Sequence, residues 1–189
     1  MAIQEISAAE AARRRDEFHA IDVRADFEFR GPLGRVAKAK LVPLPELESR
    51  AGELPRDRPL LLICRSGARS GKACEQLAAL GVTSVVNLTG GMIAWNRANL
   101  PVEHEAPATL AELLEHVARW VAQVSAQPPD AVRESLRGQL EAFGASAGGP
   151  TRASLARLLD SVESSFAEKG APPDLEIALA SFRRWLAAL

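Results

Sequence analysis

Most of the reactive chemistry in this chain falls in one short run, Ile63-Cys64-Arg65-Ser66-Gly67-Ala68-Arg69-Ser70. The cysteine follows directly on the apolar run Leu60-Leu61-Leu62-Ile63, and a glycine-containing loop then leads into a helix-like segment. A strand–loop–helix passage of this kind aims successive backbone N–H groups and a helix N-terminus at one point. Partial positive charge there favours a thiolate, the nucleophilic form of cysteine. Arg65 and Arg69 add full positive charge, so an anionic substrate would be drawn in and its charge partly neutralised. Cys64 is therefore the candidate nucleophile, and Arg65, Ser66, Gly67, Ala68 and Arg69 are the candidate substrate-binding loop.

The second cysteine reads differently. Cys74 has Leu77, Ala78 and Gly81 at positions i+3, i+4 and i+7, the spacing of a helix's inner face, and is expected in the core. The three histidines, His19, His104 and His116, are scattered and do not make metal-ligand spacing. They read as ordinary surface or edge positions, and neither a metal nor an organic cofactor is expected.

The elements that must hold this loop come from alternating strand-like and helix-like segments. Ala2–Ile6 is a short strand candidate, and Ser7 with Glu10 forms a capping box opening a helix to about Arg15. Ala20–Val23 reads as a strand, and Leu60–Ile63 as a strand buried on both faces. A helix is expected from about Ser70 to Leu80, closed by Gly81. Ser84–Leu88 is the next strand, after which Gly90-Gly91 turns the chain into a helix to about Ala98. This alternation predicts an α/β domain over 1–105, with a central, mostly parallel sheet flanked by helices.

Composition changes after Pro101, and no convincing strand follows. Thr109 and Glu112 form another capping box, and apolar residues recur at helical spacing in four stretches. They are marked by Leu110–Val124, Val132–Phe143, Leu155–Phe166 and Leu175–Leu189, with Gly144 to Gly149 and Gly170 as breaks. Residues 106–189 thus read as an all-α four-helix module of unknown role. Ala111–Val117 resembles Ala156–Val162, and each is followed by Pro-Pro-Asp, at 128–130 and 172–174, as an αα-hairpin repeat would produce. Trp120, Phe182 and Trp185 are large for so small a core, and are expected to stay partly uncovered, as a homodimer or protein-partner contact would need.

The loop Cys64–Arg69 resembles the active-site loop of rhodaneses, and the surrounding motifs agree. Ile21-Asp22-Val23-Arg24 with Phe27-Glu28 resembles that family's first signature. Gly34–Ala39 with Val42-Pro43-Leu44 resembles its Gly-His-Ile-x-Gly-Ala stretch, and Asn87–Trp95 its closing signature. The resemblance covers about residues 3–104, in order; it departs at Arg35, where the family often has His, and at Lys38, where it often has Gly. It implies a sulfurtransferase in which Cys64 takes a sulfane sulfur as a persulfide from a small anionic donor such as thiosulfate. The loop N–H groups would cradle the persulfide until cyanide or a thiol accepts the sulfur. It also implies that Asp22 and Arg24 hold the sheet edge and loop, and that Gly90, Gly91 and Trp95 are turn and packing residues.

Composition narrows the alternatives. Formal net charge is −1 on 189 residues, so no nucleic-acid partner or membrane surface is indicated. No apolar run approaches the roughly 20 residues that span a bilayer, and Met1–Glu10 lacks a secretory pattern, so the expected location is the cytoplasm. Two other functions share part of this pattern. Cysteine phosphatases and arsenate reductases of similar fold place their arginine one residue further from the cysteine. A purely binding rhodanese-like module has no need of the cysteine.

Overall fold

The computed structural model describes residues 3–143 and 149–189, and for Lys169 the backbone alone. Ala2, the first residue of the expected first strand, and residues 144–148 of the glycine-rich break lie outside them. By its internal contacts the chain divides into Met1–His104 and Glu105–Leu189.

The first unit is built on five parallel strands: β1 (Gln4–Ile6), β2 (His19–Asp22), β3 (Lys40–Leu41), β4 (Leu60–Ile63) and β5 (Val85–Leu88), in the spatial order β1-β5-β4-β2-β3. The two strands whose residues are buried throughout, Leu-Leu-Leu-Ile and Val-Val-Asn-Leu, lie inside the sheet as β4 and β5. The edge strands β1 and β3 are short and partly exposed, which limits the unpaired backbone they present. Helix α1 (Ala8–Arg13) is capped by the Ser7 hydroxyl, which accepts from Glu10 N at 3.3 Å. The Glu10 carboxylate does not close the expected box but pairs with Arg14. Helix α2 (Asp26–Phe29) follows β2, α3 (Ala68–Ala79) follows β4, and α4 (Gly91–Arg97) follows β5.

Side chains alternate along a strand. Leu60 and Leu62 join the core cluster that also holds Ala73, Cys74 and Leu77 of α3, and Cys64 continues that phase in the same cluster. The sheet thus delivers Cys64 at the C-terminal end of an inner strand, on the face that α3 covers. Open parallel sheets bind ligands at this end.

Among the described residues of Glu105–Leu189 the regular elements are helices: α5 (Leu110–Ser125), α6 (Pro129–Ala142), α7 (Arg152–Lys169) and α8 (Leu175–Ala188). Thr109 caps α5, accepting from Glu112 N at 3.1 Å, and the Glu112 carboxylate accepts from Ala108 N at 2.7 Å. The aromatic residues expected to be partly uncovered are buried: Trp120, Phe182 and Trp185 are 3%, 0% and 4% exposed. They pack edge-on, Trp120 against Phe166 and Phe182, and Phe182 against Trp185, so aromatic stacking closes the small core from within. The two Pro-Pro-Asp triplets stand differently in their helices. Asp130 lies in the first turn of α6, whereas Asp174 is the buried residue before α8 and accepts from Trp120 Nε1 at 3.2 Å. No described helix is long and apolar enough to cross a membrane.

Candidate active site

Cys64 is 1% exposed, and its sulfur is met from the α3 side by two hydrogen-bond donors. Gly67 N donates to Sγ at 3.1 Å and Ser70 Oγ lies 3.3 Å from it. Gly67 is the cap of α3, with φ +94°, so the chain turns sharply enough for its N–H to point back at the sulfur. The helix consequently begins at Ala68, two residues before the sequence expectation, which brings its N-terminal end closer to Cys64.

Ser70 is fully buried and has one proton for three acceptors: Cys64 Sγ, Gly67 O at 3.1 Å and Asn87 Oδ1 at 2.7 Å. The Asn87 amide is oriented from its other end, donating from Nδ2 to Glu5 Oε1 at 3.1 Å. Ser70 and Asn87 were not among the expected site residues. Both had a signal in the chain. Ser70 extends backwards the buried stripe Ala73, Cys74, Leu77, and Asn87 is the lone polar residue in β5.

The first turn of α4 fastens the loop from the other side. Met92 N donates to Cys64 O at 2.9 Å and Ile93 N to Arg65 O at 3.1 Å. Gly91 permits this approach, since a Cβ there would run into Cys64 O and the Arg65 carbonyl. Trp95, 3% exposed, donates from Nε1 to Pro101 O at 3.0 Å and anchors the end of the unit.

The two loop arginines have different surroundings. Arg65 is half-buried, while Ser66 and Ala68 are exposed. Arg69 meets Glu28 in a two-pronged pair, Nη1 and Nη2 each 2.6 Å from a carboxylate oxygen. The Glu28 side chain is 5% exposed and that of Arg69 36%. The Glu28 carboxylate, with the charges of Cys64 and Asp22 adding to it, holds the Arg69 guanidinium above its ordinary pKa despite partial burial. Asp22 and Arg24 form a second, fully buried pair, 2.7 Å between Oδ2 and Nη2, and Arg24 also donates to Gly34 O at 2.8 Å. That pair ties the end of β2 to the segment after α2.

Cys74, on the same helix face, has no comparable surroundings. Burial, with a smaller contribution from the Glu5 and Glu75 charges, pushes its thiol up to about 12, so it stays protonated at neutral pH. The two positions that depart from the family pattern have distinct consequences. Arg35 stacks over the Phe29 ring at 4.9 Å and pairs with Glu103. Lys38 has φ +62°, a left-handed conformation that a glycine would adopt without strain.

A parallel α/β unit that presents a buried cysteine to the mouth of a helix defines the class of site. The family model described as "Rhodanese-like domain" matches residues 7–98, and the chain belongs to that family. A sulfurtransferase from Allochromatium vinosum is 40% identical over 82 residues, covering 43% of this chain and 75% of that protein. The thiosulfate sulfurtransferase GlpE of Vibrio cholerae is 29% identical, covering 52% of this chain and 92% of its own. Among solved structures, a rhodanese-related protein from Thermoplasma volcanium is 32% identical with a TM-score of 0.51, covering 54% of this chain and 99% of that one. The family match ends at residue 98, so the helical unit lies outside it.

Proposed function

We propose that this protein is a sulfurtransferase that carries sulfane sulfur on Cys64. The observation that carries the reading is the buried sulfur with Gly67 N at 3.1 Å and Ser70 Oγ at 3.3 Å at the start of α3. These donors stabilise negative charge on sulfur, both when the thiolate attacks and when it is the leaving group. In the first half-reaction the Cys64 thiolate attacks the outer sulfur of thiosulfate. The S–S bond of the donor breaks, sulfite leaves with the bonding pair, and Cys64 holds an anionic persulfide. In the second, cyanide or a thiolate attacks the outer sulfur, the Cys64 thiolate leaves, and thiocyanate or a new persulfide is released. Charge balances in each step without a metal or redox partner.

Thiosulfate as donor is supported by the named activity of the Vibrio cholerae relative and by the cationic helix end and Arg65 at the loop. Arg69 is better described as the loop's anchor to Glu28 than as a donor-binding group. The test is intact-mass measurement after incubation with thiosulfate: a gain of about 32 Da, one sulfur atom, located on Cys64 and removed by cyanide as thiocyanate. A protein that gains no sulfur from any donor in a panel, or gains it on Cys74, overturns the reading.

A further inference from the structure

Arg69 lies close enough to Cys64 for their charges to interact, yet both of its terminal nitrogens are turned onto Glu28 at 2.6 Å. Glu28 is itself fixed: its Oε2 accepts from Ala25 N at 3.2 Å, and its side chain is 5% exposed. A buried carboxylate held from two sides does not follow a moving guanidinium. It keeps Arg69 in one place and cancels its charge at close range. We propose that Glu28 is a specificity residue, which by neutralising Arg69 sets how strongly the Cys64 site favours a more highly charged sulfur donor over a less charged one.

Removing the Glu28 charge should make this site select more strongly for anions. Glu28→Gln is the suitable change, because the amide keeps the shape and one acceptor for Arg69 while the charge is lost. Arg69 would stay near the loop as an uncompensated cation. For a reagent carrying one charge more than its comparison, the preference should rise on the order of fivefold.

Two measurements on the full chain read this. The first alkylates Cys64 with iodoacetate or with neutral iodoacetamide, each losing iodide as the S–C bond forms, with peptide mapping to separate Cys64 from Cys74. It needs no sulfur transfer, so it stands even if the proposed activity is absent. The second rests on the sulfurtransfer reading and compares kcat/KM for thiosulfate, a dianion, with methanethiosulfonate, a monoanion whose outer sulfur is transferred as sulfinate leaves. In Glu28→Gln both anion-preference ratios should rise about fivefold over the unchanged chain. If Glu28→Gln does not fold, the neutral pair Glu28→Gln with Arg69→Gln gives the complementary test. Its ratios should equal those of the unchanged chain, since both pairs have zero net charge. Unchanged or lower ratios in Glu28→Gln, or a clear fall in the neutral pair, would show that Arg69 already serves the anion, and would overturn the proposal.

Discussion

The two units of this chain bury polarity in different ways. Met1–His104 buries Asp22, Arg24, Glu28, Ser70 and Asn87: Ser70 meets the Cys64 sulfur, Asn87 holds Ser70, Glu28 holds Arg69 of the loop, and the Asp22–Arg24 pair fastens the segment after α2. Glu105–Leu189 buries Ser154, Asp174 and Ser181, and the first two serve helix ends or a tryptophan. The ion pairs described there, such as Arg183–Asp160, have substantially exposed side chains on both partners. A reactive sulfur set under a helix end needs its donors held rigidly, and each buried donor needs a partner of its own. A helical core with no such demand is closed by aromatic and aliphatic contacts.

The sharpest way to test that contrast is at the two cysteines, which lie on one face of the same helix–strand layer. Cys64→Ser should lower sulfur transfer at least about a thousandfold, because the nucleophile is lost while the volume barely changes. Cys74→Ser should keep most of the activity, since the Cys74 thiol, pushed up to about 12, does not ionise near neutral pH. Steady-state thiocyanate formation on both variants checks this, and an inactive Cys74→Ser beside an active Cys64→Ser would reverse the assignment.

The second contrast sets a buried ion pair against an exposed one. Asp22→Asn leaves Arg24 charged and buried with its main counterion gone, which should cost roughly 3–5 kcal/mol. Asp160→Asn touches a pair whose side chains are 44% and 69% exposed, and should cost no more than about 1 kcal/mol. Denaturant unfolding of the full chain would measure both, and equal costs would erase the distinction drawn between the units.

Much of this was legible in the sequence, and the omissions have physical causes. The buried strands β4 and β5 and the four C-terminal helices announce themselves by apolar runs and periodicity, and Cys64 by its place between strand, glycine and helix. The early start of α3 depends on Gly67 taking φ +94°, which composition alone does not reveal. Arg69 read as a substrate cation because its partner, Glu28, lies 41 residues away in sequence and arrives only through the fold. Ser70 and Asn87 are ordinary residue types whose role follows from contacts the fold makes, Ser70 with the Cys64 sulfur and Asn87 with Ser70. The covering of Trp120, Phe182 and Trp185 likewise depends on which helix faces meet, and periodicity does not say that.

A weaker effect is expected from removing the helical unit. We propose that a chain ending at Glu105 still gains sulfur on Cys64 from thiosulfate and loses a self-association or partner contact. The burial of the three aromatic side chains removes the surface first expected to carry such a contact, so any contact must use other residues. Light scattering on the full and shortened chains, beside mass measurement of the persulfide, checks both halves. A shortened chain that unfolds or fails to take sulfur would mean that the helices complete the first unit's core.

The smallest expected effect is the pH response of the helical unit. Burial, followed by the Arg119 charge, pulls the His116 pKa below its ordinary value of 6.5, against the opposing charges of Glu112, Glu105 and Glu115. Its ring also packs against Trp185, 5.3 Å between centroids. The folded state therefore binds the proton less readily than the unfolded chain. Above 6.5 both states hold a neutral ring and pH does not matter through this group. As pH falls from 6.5 towards the lowered folded value, the unfolded chain takes up the proton first, and stability declines until both states are protonated. Thermal unfolding at pH 7.5 and 5.5, followed by fluorescence of Trp120 and Trp185 in a Trp95→Phe background, should show a lower midpoint at the acidic pH. Replacing His116 with Asn should shrink that difference. An undiminished difference would place the acid sensitivity in the carboxylates of the helical surface, and His116 would then be an ordinary packing residue.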